Sequence, residues 1–86
     1  MAETLNGCDL LKRFIVKAKE DIKNESRTIS NLEAHIRKLM SQAQPDEVMI
    51  QELKEEVEKL KQELERDQGQ LEAAEDEFRE SCGPLG

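Results

Sequence analysis

Arg37-Lys38-Leu39-Met40-Ser41-Gln42-Ala43-Gln44-Pro45-Asp46-Glu47 is the stretch on which the fold turns. Proline has no amide hydrogen for the helical ladder, and its ring clashes with the preceding turn of helix. It is well suited to the first position of a new helix. Asp46 and Glu47 follow it, where acids favour the positive end of a helix dipole. Arg37 and Lys38 precede it, where cations favour the negative end. This charge pattern predicts one helix ending and a second beginning near Pro45.

On both sides of that stretch the apolar residues keep a seven-residue period. One row reads Ile15, Ile22, Ile29, Ile36, Ala43, Ile50, Val57, Leu64, Leu71 and Phe78. A second, offset by three, reads Leu11, Ala18, Glu25, Leu32, Leu39, Asp46, Leu53, Leu60, Asp67 and Ala74. These are the a and d positions of a heptad, whose narrow seam is buried only against another helix. The expected helices run over about 7–42 and 45–82, with a turn at 43–45. Tails of 1–6 and 83–86 flank them. Asn6 is placed to cap the first helix, and Gly83-Pro84 to stop the second.

The heptad keeps its phase across Pro45, so a continuous rod pairing in parallel is the competing architecture. In that dimer Glu25 would face Glu25 and Asp67 would face Asp67 inside the seam, which is costly for buried like charges. Folded into an antiparallel hairpin, Ile36 meets Leu53, Leu32 meets Val57, Ile29 meets Leu60, Ala18 meets Leu71, Ile15 meets Ala74 and Leu11 meets Phe78. The two acids then face Leu64 and Ile22 instead of each other. Among flanking pairs, Lys12 falls near Glu75, Glu33 near Lys54 and His35 near Glu56. The reading is an all-α, two-helix antiparallel coiled-coil hairpin, with Leu11, Ile15, Ile22, Ile29, Leu32, Ile36, Leu39, Ile50, Leu53, Val57, Leu60, Leu64, Leu71 and Phe78 as its seam.

Composition agrees with narrow, well-solvated helices. The chain of 86 residues has no Trp or Tyr, two Phe, and 38% charged residues. Its net charge of −7 argues against nucleic acid or an acidic membrane as partner. The charge is divided unevenly. Residues 1–44 hold eight Lys or Arg and six Asp or Glu, whereas residues 45–86 hold five and fourteen. A hairpin sets the basic half beside the acidic one. The N-terminal residues lack a signal-peptide pattern, so an intracellular location, cytoplasmic or nuclear, is expected.

Chemistry finds little purchase here. His35 is the single histidine and lies on a flank, without a Cys partner nearby in sequence. The many glutamates of the second half have no glycine-bearing loop to hold calcium and belong to the solvated face. No catalytic residue, metal site or cofactor is expected. Cys8 and Cys82 both fall at the open end of a hairpin, where a disulfide would staple the termini. The alternative is two unrelated thiols, reduced in a cytosolic protein.

Leu10, Phe14 and Val16 are apolar but lie off the seam. They are the expected partner surface, suited to a homodimer of hairpins in a four-helix arrangement or to an obligate helical partner. The expected function is non-enzymatic: a protein–protein interaction and oligomerisation module. A small helical chaperone or assembly factor is the alternative.

Overall fold

The computed structural model describes residues 7–84, as two helices. Helix α1 spans Gly7–Met40 and α2 spans Glu47–Cys82. A short turn reverses the chain, and a disulfide joins Cys8 at the start of α1 to Cys82 at the end of α2. Linked at both ends in this way, the helices lie antiparallel. The fold is the helical hairpin.

The turn is wider than the expected 43–45, and the reason lies in its caps. At the end of α1 the Ser41 amide donates to the carbonyls of Arg37 and Lys38 at 3.2 and 3.3 Å, and Gln42 donates to Leu39 at 3.3 Å. The Ser41 hydroxyl also donates to the Lys38 carbonyl at 2.8 Å. These bonds satisfy carbonyls that a helix end leaves without partners, so α1 stops at Met40. At the start of α2 the cap is Asp46, with φ −79° and ψ 93°. Its Oδ1 accepts from the Met49 amide at 3.0 Å, and its carbonyl accepts from Ile50 at 3.0 Å. Pro45 therefore sits before the cap and not at the first helical position. Ala43 and Asp46, seam members in a continuous rod, are exposed in the turn.

Gly83 ends α2 with a positive φ of 92°, a conformation that favours a residue without Cβ. The proposed cap Asn6 lies outside the described residues, as do the first six residues and the last two.

The seam packs as two apolar clusters. Toward the turn, Ile29, Ile36, Leu39, Ile50 and Val57 are buried, with Leu32, Leu53, Leu60 and Leu64 packed against them. Toward the open end, Ile15, Ala74 and Phe78 are buried, with Leu11, Leu71, Cys8 and Cys82 around them. Among the described residues Ile15 is the most enclosed side chain, at 2% exposure. Ile22 is half-buried between the clusters.

Two expectations about register need correcting. Glu25 and Asp67 do not avoid each other: they are direct neighbours across the seam. In knobs-into-holes packing a side chain enters a hole made by four residues, so a d residue meets the d residue of the next layer as well as its own a partner. The flanking ion pairs also differ. Glu33 pairs with Lys61 at 3.1 Å instead of Lys54, and Glu75 pairs with Lys19 at 3.4 Å instead of Lys12. Each real partner lies one heptad from the expected one, within reach of a long lysine side chain that has two e residues to choose between. His35 is exposed, and no ion pair joins it to Glu56 among the described residues.

Candidate interaction surface

A two-helix seam has no interior beyond its own stripe, so whatever this chain recognises must lie on a flank or an end. The strongest flank is on the first half of α1. Leu10 and Phe14 are one helical turn apart, hence on the same side, and keep 54% and 48% of their surface exposed. Phe14 borders a groove of about 390 Å³ lined also by Arg13, Lys17, Ala18 and Asp21 from α1 and by Asp67 and Gln70 from α2. The groove exists because the seam is thin there. Ala18 supplies only a methyl group, and Asp67 is a short side chain where a leucine would fill the space.

Its walls carry both signs of charge, with Arg13 and Lys17 beside Asp21 and Asp67. Lys17 pairs with Asp21 at 3.5 Å, and both are well exposed. An exposed pair of this kind contributes little to stability, and its side chains are easily re-paired by a partner.

Val16 does not share this surface. At 61% exposure it lies on the outer face of α1, among Asp9, Lys12, Arg13, Lys17 and Glu20. The heptad positions contain the reason. Leu10 and Phe14 are c and g residues, on the d side of the seam, whereas Val16 is a b residue on the a side. The exposed flank beside the groove is Leu10 and Phe14, without Val16.

Three further exposed apolar residues lie singly near the turn, Met40, Val48 and Met49, at 53%, 69% and 44% exposure. Met40 lies beside Pro45 and Ile50 in a shallow depression. Position in the heptad was the available signal. Met40 and Met49 are e and g residues that flank the last layer of the seam, and Val48 is at the outward f position.

At the open end, Cys8 and Cys82 are 5.8 Å apart between Cα atoms and close a loop across 74 residues of sequence separation. Bonded to each other, they offer no thiolate to a metal or an electrophile. Among the described residues no group of three or more His, Cys, Asp or Glu side chains gathers where a metal ion could be held. No described helix is long and apolar enough to cross a membrane.

One ionisable group departs strongly from its ordinary behaviour. Burial, then the hydrogen bond and charge of Asp67, then the charges of Glu63 and Asp21, push the Glu25 carboxyl from 4.5 up to about 7. Asp21 and Asp67 thus serve both the groove beside Phe14 and the seam around Glu25. No family model, curated protein or solved structure matches the chain.

Proposed function

We propose that this chain is a non-enzymatic protein–protein interaction and oligomerisation module, in which hairpins pair with one another or with an obligate helical partner through the Leu10 and Phe14 flank. The observation that carries the reading is Phe14: an aromatic side chain off the seam, nearly half exposed, beside an open groove. Aromatic residues are costly to leave in water and are enriched where proteins meet. A small hairpin with one seam also gains much from covering a second apolar stripe. The acidic net charge weighs against nucleic acid or an anionic membrane as the partner.

The test is the mass in solution by sedimentation equilibrium, for the disulfide-closed chain and for Phe14→Glu. The wild-type chain is expected to be a dimer of hairpins at micromolar concentration, and Phe14→Glu a monomer with its helix content retained. A wild-type chain that stays monomeric at high micromolar concentration removes self-association. Loss of helix in Phe14→Glu would place Phe14 in the core and remove the flank.

The exposed methionines at the turn support a second reading, a small chaperone or assembly factor holding a client. Methionine is flexible and polarisable, and suits surfaces that accept varied partners. Under that reading Met40→Glu with Met49→Glu abolishes client binding while Phe14→Glu does not. One stable stoichiometric partner favours the module, and many transient ones favour the chaperone.

The closed disulfide also bears on location. Such bonds persist in oxidising compartments and are rare in the cytosol and nucleus.

A further inference from the structure

Glu25 and Asp67 interrupt the seam in neighbouring layers on opposite helices, between the turn cluster and the open-end cluster. Glu25 Oε1 is fully buried and meets no donor from the protein. The charged groups that act on Glu25 are Asp67 and Glu63 from α2 and Asp21 from α1, and all three are acids. Lys23, two residues before Glu25 on α1, forms no ion pair with it, and Lys17, two turns earlier, pairs with Asp21. An ionised carboxylate here would have one oxygen cut off from water and only acids acting on it. Two ionised carboxylates cannot hydrogen-bond to each other, because each only accepts.

We infer that Glu25 holds a proton that it donates to Asp67 across the seam, and that release of this proton loosens the joint between the two apolar clusters, making the hairpin pH-sensitive at mid-length. The device belongs to a single hairpin and does not depend on self-association. The raised Glu25 value of about 7 places its response near neutrality. Its sign follows from linkage. Glu25 is protonated in the folded chain up to about pH 7, but in the unfolded chain only up to about 4.5. Between those values the folded state binds more protons, so stability falls as pH rises. Below about 4.5 the group costs nothing, and above about 7 its full cost is present.

The experiment uses the disulfide-closed chain at one fixed concentration throughout. The Glu25 side-chain carboxyl carbon is followed by NMR from pH 4 to 9, and unfolding in urea is measured across the same range. The Glu25 signal is expected to titrate near pH 7, and the methyl signals of Ile22 and Leu64 to move with it while Ile50 stays still. The unfolding constant, referenced to Glu25→Gln, is expected to rise on the order of 100-fold between pH 4.5 and 8, as the shift of Glu25 implies. Glu25→Gln keeps a donor for Asp67 at every pH and is expected to remove this dependence. Glu55→Gln, on the exposed face, is expected to keep it. A Glu25 midpoint below pH 5 overturns the proposal. So does a wild-type pH dependence that Glu25→Gln reproduces. The titration needs no variant, so a failure of Glu25→Gln to fold leaves the test intact.

Discussion

The two ends of the hairpin solve the same problem by different means. At the turn, a few residues of chain hold the helices together, and Asp46 caps α2 within them. The cluster beside it consists of large aliphatic side chains, Ile29, Ile36, Leu39, Ile50 and Val57. At the open end the nearest chain connection is the whole length of the hairpin away. The cluster there is smaller, uses Ala74 opposite Ile15, and carries a covalent staple at its edge. Loop closure explains the contrast. Contacts beside a turn come with little entropic cost, whereas those joining chain termini must overcome the closure of a long loop. Where the second kind of contact is needed and the core is thin, a disulfide supplies the closure in advance. The open end also carries the spare apolar flank of Leu10 and Phe14.

The largest effect that would sharpen this comparison comes from the staple. Cys8→Ser with Cys82→Ser is expected to lower the unfolding free energy by ~4 kcal/mol, the chain-entropy figure for a loop of this length. Hydrogen exchange should show amides near Ile15 and Ala74 losing protection before those near Ile36 and Val57. Uniform loss along both helices would mean that the two clusters unfold as one unit. The comparison would then break.

A smaller effect is expected from the turn cluster. Ile29→Ala removes a side chain only 5% exposed and should cost ~2–4 kcal/mol in urea unfolding. Leu60→Ala, packed against the same cluster, falls in that range too. Glu55→Ala on the exposed face should leave the midpoint nearly unchanged. Equal costs at Ile29 and Glu55 would overturn the seam itself.

The smallest is expected from the cap. Asp46→Ala leaves the Met49 amide without its side-chain acceptor and should cost ~1 kcal/mol. Its exchange signature should be faster opening at the start of α2 with no change near Cys82. An equal response at both ends would show that the turn and the staple act on a single cooperative unit.

Much of this architecture is legible in the residues. A strict heptad needs a facing helix, and Pro45 between Arg37-Lys38 and Asp46-Glu47 marks where the chain reverses. The basic first half beside the acidic second half favours the antiparallel pairing, whereas the like-charge layers of a parallel pairing do not decide it, because Glu25 meets Asp67 in the hairpin too. The candidate surface was legible in part. Leu10 and Phe14 stand out as apolar residues off the seam, but Val16 was grouped with them by proximity in sequence, although helical geometry turns it to the other flank. Met40, Val48 and Met49 stand singly at e, f and g positions beside the turn, and the break between the helices leaves them exposed.

The sequence by itself determined that two helices pair antiparallel along one apolar stripe, because periodicity and turn chemistry are local properties of the chain. It also determined that two cysteines, two acids and an aromatic side chain fall outside that pattern's simplest form. Only the tertiary structure decided how those exceptions meet. A heptad assigns each residue to a layer, but a knob touches two layers at once, so the contact of Glu25 with Asp67 is a property of the packed pair of helices. The choice of Lys61 over Lys54 for Glu33 has the same origin, since both are e residues and distance alone separates them. The groove beside Phe14 likewise arises from what Ala18 and Asp67 leave unfilled, and unfilled space has no letter in a sequence.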